Sequence, residues 1–284
     1  MTVKPLKTYK EQVALLRKRG CVVADETRAV EVLSKVNYYR LSGYFYQFRT
    51  DADTYKPGTT FERVASIYDF DRRLRAVLSL AIGNAEISAR AEVAYFHAHK
   101  YGALGYLDAA NFKSTFNASD FTNEFSDAIR RNGNDPIVKH HKMKYGGQFP
   151  LWVAVEFFTM GMTSRFYANL KRNDAKRIGD RFNASVYEMQ SWLYCLTILR
   201  NACAHYDRLY ATKFKAMPRF PVSFAVPADD SLFSQICVLK LLNRNDDEWR
   251  NAVVRDIAAL ISEYKQHIDL TVMGFPEKWK EILV

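Results

Sequence analysis

The sequence predicts an all-α fold, and three observations carry that expectation. Apolar residues recur every three or four positions through most of the 284 residues. Capping residues and glycine or proline stops punctuate those runs. Strand-type alternation of apolar and polar residues is weak throughout. Hydrophobic residues make up 48% of the chain, enough to bury a sizeable core.

Thr8 can cap a first helix to Arg19, stopped at Gly20. Asp25 can cap a second, with Val30, Leu33 and Val36 in helical register. Asn37 to Arg49, NYYRLSGYFYQFR, is dense in aromatics, with Arg40 and Arg49 interleaved. Packing of this small unit onto the body is the first reading; stacking on RNA bases is the second. The polar turn from Asp51 to Gly58 separates an N-terminal aromatic and basic unit, 1–56, from a helical core, 57–215. Thr59 or Thr60 caps the longest periodic run, Phe61 to about His99. Phe61, Val64, Tyr68, Leu74, Leu78, Ile82, Ala85, Ala89, Val93 and Phe96 mark its apolar face, while Glu86 and Arg90 read as a pair on its surface.

Two shorter helices are expected from Asp120, broken at Asn132–Pro136. The stretch KHHKMKYGGQFP, with Lys142 and Lys144, reads first as a basic helix end and second as a phosphate contact. Pro150 opens an apolar helix, LWVAVEFFTMGMTSRFYANL, with Glu156 expected to be buried in its middle and to need a cationic partner. Asn173 or Asp174 starts a short helix ending near Phe182. Ser185 and Glu188 form a capping box, and Met189, Leu193, Leu196 and Arg200 share a stripe of the helix it opens. Met217 to Pro227 is an extended connector into a C-terminal extension, 216–284, with helices at about Asp230–Leu242 and Asp246–Ile268 and a last short one in FPEKWKEILV.

The formal net charge is +10, and its excess is local. Residues 1–50 carry ten basic and four acidic groups, and residues 151–215 carry ten and five. Arg165, Lys171, Arg172 and Arg208 belong to the second cluster. A polyanion partner such as nucleic acid would account for this, and so would a solvated basic surface. The four cysteines are scattered without a Cys-x-x-Cys pair, which argues against zinc and disulfides and suits a reducing cytosol. There is no signal-peptide run and no stretch near the ~18 apolar residues of a membrane span. The chain is therefore expected to be soluble and cytoplasmic. Gly146-Gly147 lacks the P-loop pattern, and His97 and His99 point to different helix faces, so neither nucleotide hydrolysis, a metal nor a cofactor is expected.

The stretch around which the chain is organised is Leu199–Tyr210, LRNACAHYDRLY. Arg200 falls on the apolar stripe, so it either reaches a buried acid such as Glu156 or faces a cleft or subunit interface. Asn201 and His205 are four apart and share a face near the helix end. An arginine can fork onto phosphate, and a histidine can exchange a proton beside it near neutral pH. The same residues admit a structural reading, with His205 complementing the helix dipole and Arg200 pairing an acid.

LRNACAHYDRLY resembles the R-x4-H region of HEPN-domain proteins, and within them the abortive-infection proteins of the Abi-D/Abi-F (Abi-2) type. NYYRLSGYFYQFR, IYDFDRRLRAVLSLAIGNAEISAR, PLWVAVEFFTMGMTSRFYANL and the capping box support the closer match, which covers roughly residues 8–212. The resemblance implies a HEPN-like helical bundle with N- and C-terminal helical additions. It also implies a homodimer in which two motifs share a cleft, and a metal-independent RNA endonuclease used in phage defence or as a toxin. A structured non-coding RNA is a further partner it implies. Arg200 and His205 would be catalytic, with Asn201 beside them. Arg40, Arg49, Arg165, Lys171, Arg172, Arg208, Lys142 and Lys144 are the candidate RNA contacts. The alternative is a non-catalytic RNA-binding or scaffold protein of the same class. HEPN partners of nucleotidyltransferases carry a tyrosine two residues after the histidine, where this chain has Asp207.

Overall fold

One helix of 41 residues, α4 (Phe61–Tyr101), runs about 60 Å through the molecule, and the other elements are arranged around it. The computed structural model describes residues 5–284; Met1–Lys4, the start of the polar N-terminus, lie outside the described residues. Ahead of the long helix come α1 (Tyr9–Lys18), α2 (Glu26–Lys35) and α3 (Tyr38–Phe45). After it come α5 (Ala118–Arg131), α6 (Pro136–Lys144), α7 (Leu151–Ala154), α8 (Met160–Asn169), α9 (Arg172–Asp180) and α10 (Val186–Ala204). The chain closes with α11 (Leu232–Leu242), α12 (Asp246–Glu248), a π-helical turn (Trp249–Val254), α13 (Arg255–Tyr264) and α14 (Trp279–Leu283). Among the described residues the only β pairing is three isolated bridges, so the fold is all-α. No helix there is long and apolar enough to cross a membrane.

Local signals place most of these ends. Thr8 and Ser185 each complete a capping box, and Thr60 accepts from the Arg63 N–H to start α4. Phe61, Val64, Leu74, Leu78, Ile82, Ala85, Ala89 and Val93 are all buried, as their spacing predicts; Tyr68 and Phe96 are half-buried. The helix α10 packs between α4, α8, α9 and α11, with Trp192, Leu193 and Leu196 fully inside. Backbone bonds from Val22 to Thr59 and from Phe61 to Val22 fasten the N-terminal helices to the start of α4.

The structure corrects several expectations. The apolar run after Pro150 is not one helix: Phe158 turns extended (ψ 135°), and Thr159 caps a new helix by accepting from the Met162 N–H. Glu156 lies on the short helical turn before that break and is exposed, so it is not the buried acid. The helix expected from Asp120 starts at Ala118, capped by Asn117, and the one expected at about Asp230–Leu242 runs Leu232–Leu242, capped by Ser231. The short helix before Phe182 begins at Arg172 and not at Asn173 or Asp174; Asp174 is buried and holds Lys100 and Tyr101 at 2.6 and 2.7 Å.

His97 faces inward on α4, 2% exposed, stacked on Phe112 and edge-on to Phe166. Among the described residues neither ring nitrogen has a hydrogen-bond partner. Burial drives its pKa down to about 4, against the pull of Asp174 and with the push of Lys100. The unfolded chain, with an ordinary histidine near ~6.5, binds the proton more tightly than the folded one. Stability from this residue is thus complete above about 6.5 and is lost as pH falls toward 4. Urea unfolding from pH 7 to 4 should show that loss, at most about 3 kcal/mol, and His97→Phe should flatten it.

Candidate active site

The motif sits where α10 stops. The His205 N–H donates to the Asn201 carbonyl at 2.9 Å, Tyr206 to Cys203 at 3.2 Å and Asp207 to Ala202 at 2.8 Å. The last two bonds close a Schellman end, whose left-handed position is held by Tyr206 at φ 59°. Glycine is usual there; a tyrosine bears a strain of roughly 1–2 kcal/mol. Something outside the turn has to hold it, and the structure supplies three anchors.

The first anchor is Asp71 on α4, 0% exposed. Its carboxylate accepts from Tyr44 Oη at 2.6 Å, from the Tyr210 N–H at 2.8 Å, from the Leu209 N–H at 3.2 Å and from Arg75 Nη1 at 2.5 Å. Arg75 also donates to the Asp207 carbonyl at 2.9 Å. The second anchor is Arg40 on α3, which donates to the Tyr206 carbonyl at 2.6 Å. The third is Arg208, which donates to the Gly43 carbonyl. The backbone from Tyr206 to Tyr210 is thereby clamped between α4 and α3. Tyr44 is pushed toward higher pKa by burial and by Asp71, so it stays a protonated donor.

The motif side chains divide into held and free. Arg200 Nε lies 3.9 Å from Glu86 Oε2, and its Nη1 donates to Asn201 Oδ1 at 3.3 Å. Glu86 is buried and accepts from Arg90 Nη2 at 2.6 Å, while Arg90 also donates to the Phe158 carbonyl at the break before α8. The acid facing Arg200 is therefore Glu86, not Glu156. With one edge of its guanidinium on that acid and 39% of its side chain exposed, Arg200 keeps donors for an outside anion. His205 is exposed, and among the described residues its ring takes no hydrogen-bond partner. Cys203 lies between them but is buried, with its thiol pushed up to about 12 by burial, so it supplies no thiolate.

The other candidate contacts fall in three places. Arg40 and Arg208 meet at the post-motif turn, and Arg49, paired with Asp53, lines the same cleft as Arg208. Arg165 pairs with Glu124 on α5, while Lys171 and Arg172 start α9, with Lys171 Nζ 5.9 Å from the Tyr101 ring. Lys142 and Lys144 are exposed on α6, where His141 is tied to the Gln148 carbonyl at 3.0 Å. None of this last group bonds the motif among the described residues. Among those residues, no group of three or more His, Cys, Asp or Glu side chains is arranged to hold a metal ion.

Sequence reasoning passed over Asp71, Arg75 and the role of Glu86. A signal was present: Asp71 stands four residues after Ile67 and three before Leu74, on the apolar stripe. Two apolar stripes also lie uncovered beside the motif. On α10, Tyr187 and Tyr194 are exposed on the face that continues to Asn201 and His205; on α4, Leu80, Ile87 and Tyr95 are exposed, with Trp152 beside Tyr95.

Replacing Asp71 with asparagine should leave the buried Arg75 guanidinium without its counter-charge. A loss of about 3–5 kcal/mol is expected by urea denaturation at pH 7, together with a post-motif turn that is cut more readily in limited proteolysis.

Comparison with characterised proteins and with solved structures finds no match. A family model described as Abi-like protein matches residues 31–211. That span begins within α2, takes in Asp71, Arg75, Glu86 and the whole motif, and ends one residue past Tyr210. The chain belongs to the Abi-like protein family.

Proposed function

We propose that this chain is a metal-independent RNA endonuclease of the HEPN type, acting in abortive infection against phage or as a toxin. Family membership supports the abortive-infection role. The observation that carries the nuclease reading is an exposed imidazole at His205 on the same helix end as Arg200, whose Nε lies 3.9 Å from Glu86 and whose side chain is 39% exposed.

RNA brings its own nucleophile, the 2′-hydroxyl. The 2′-oxygen attacks the adjacent phosphorus and the bond to the 5′-oxygen breaks. One imidazole takes the 2′-hydroxyl proton, and a second gives a proton to the departing 5′-oxygen. Arg200 neutralises the charge that grows on the non-bridging oxygens, and Asn201 orients the guanidinium through their bond. The products are a 2′,3′-cyclic phosphate and a 5′-hydroxyl. Two histidines are needed, and this chain offers one in the motif. A homodimer supplies the second, and the uncovered stripe Tyr187–Tyr194, in line with Asn201 and His205, is the surface that supports it.

A non-catalytic RNA-binding scaffold is the second reading. It draws on the fact that Arg200 already has an acid and that Arg40 and Arg208 already hold backbone carbonyls. Cleavage of diverse RNAs in EDTA separates the two. Wild type should cut, His205→Ala should lose about 10²–10⁴-fold, and Arg200→Ala should lose a similar amount. Glu86→Gln, which frees the guanidinium to swing, should cost roughly ten- to hundredfold. Cutting that survives undiminished in both motif variants would reject the assignment.

Tyr194→Glu buries a charge in the proposed subunit interface. Light scattering should then report monomers, and cleavage should fall with the dimer. A wild-type protein that is monomeric at every concentration yet fully active would contradict the shared cleft.

A further inference from the structure

A cleft of about 1280 Å³ opens between α1, the end of α2, and α3, on the N-terminal side of the post-motif turn. It exceeds the roughly 300–1,000 Å³ of a small-molecule site. Three tyrosines on its rim are exposed where aromatic rings are ordinarily covered: Tyr9 at 46%, Tyr39 at 69% and Tyr46 at 68%. The core of the N-terminal unit is made by Leu41, Tyr44 and Phe45, which are buried, while Tyr39 meets only the edge of Tyr38 among the aromatic rings of the described residues.

The charge of the lining is one-sided. It carries five Lys or Arg side chains and a single carboxylate, Asp53. Asp53 is held between Arg19 and Arg49, and Lys35 pairs with Glu31 just outside the lining; five cations against two carboxylates still leave an excess of positive charge. Arg208 donates to the neutral Gly43 carbonyl at the cleft's inner end, and among the described residues no carboxylate pairs with it where it lines the cleft. That end adjoins the turn that Arg40 fastens at Tyr206, the residue after His205.

Exposed rings with cations between them suit bases that are unstacked from one another and a backbone that follows the groove. A duplex offers its bases only edge-on and would leave the rings unused. Resting on the RNA reading above, we propose that this cleft is the binding track for single-stranded RNA, with Tyr39 and Tyr46 as stacking platforms, leading the strand toward His205.

The test uses the full chain carrying His205→Ala, so that the RNA stays whole, and a short fluorescein-labelled single-stranded RNA followed by anisotropy. Adding Tyr39→Ala and Tyr46→Ala should raise Kd by about tenfold or more, with thermal unfolding unchanged because both rings are exposed. RNA containing 4-thiouridine should crosslink within residues 37–49, and a duplex of the same sequence should bind more weakly. An unchanged Kd in the double variant, equal affinity for the duplex, or full competition by uridine monophosphate at matching concentration would each overturn the proposal. Failure here is distinct from failure of the nuclease reading. RNA bound through the tyrosines but never cut by wild type rejects the nuclease and keeps the track. RNA cut by a protein whose affinity ignores both tyrosines does the reverse.

Discussion

A carboxylate with no solvent around it has to be met by donors or protonated, and Asp71 is met by four. Two of the donors are the backbone amides of Leu209 and Tyr210, one is Tyr44 from the N-terminal unit, and one is Arg75, which reaches on to the Asp207 carbonyl. A single side chain of the long helix thereby fixes the segment that follows the motif and joins it to α3. The strained Tyr206 and the exposed His205 sit on that support, and the rest of the site depends on it.

The electrostatics of the motif follow from a second carboxylate on the same helix. Glu86 shares its two oxygens between Arg90, which closes the break before α8, and Arg200. The Arg200 contact is an ion pair at 3.9 Å without a hydrogen bond, so Glu86 biases the guanidinium electrostatically and leaves its donors available. The charge is placed by its neighbours without being buried, 39% of the side chain being exposed, which suits the proposed role beside a growing anion. Asp71 and Glu86 are 15 positions apart on α4, close to four helical turns, so one rigid rod sets the spacing between the turn and the arginine.

Much of this was legible from the residues. The caps at Thr8 and Thr60 and the capping box at Ser185 follow from local chemistry, and most apolar positions from Phe61 to Val93 read correctly as core, while the helix runs on past His99 to Tyr101. What was not legible came from tertiary choices. Glu86–Arg90 has the spacing of a surface pair, and only the arrival of α10 turns it inward. Glu156 stands amid apolar residues, yet the turn at Phe158 swings it out to solvent and leaves the role of acid to Glu86. Arg200 follows the stripe toward an acid, but that acid, Glu86, lies on a helix over a hundred residues earlier and not in the neighbouring apolar run. The aromatics of NYYRLSGYFYQFR divide: Tyr44 and Phe45 are core, as the packing reading expects, while Tyr39 and Tyr46 face outward.

The central claim is that the chain supplies proton transfer and charge stabilisation while RNA supplies the attacking oxygen. An RNA cut by the wild-type protein in EDTA, resynthesised with one 2′-deoxy sugar at the cut position, tests it directly. Cleavage should stop at that position, and the all-ribo product should end in a 2′,3′-cyclic phosphate. Cleavage that continues at the deoxy position would contradict it.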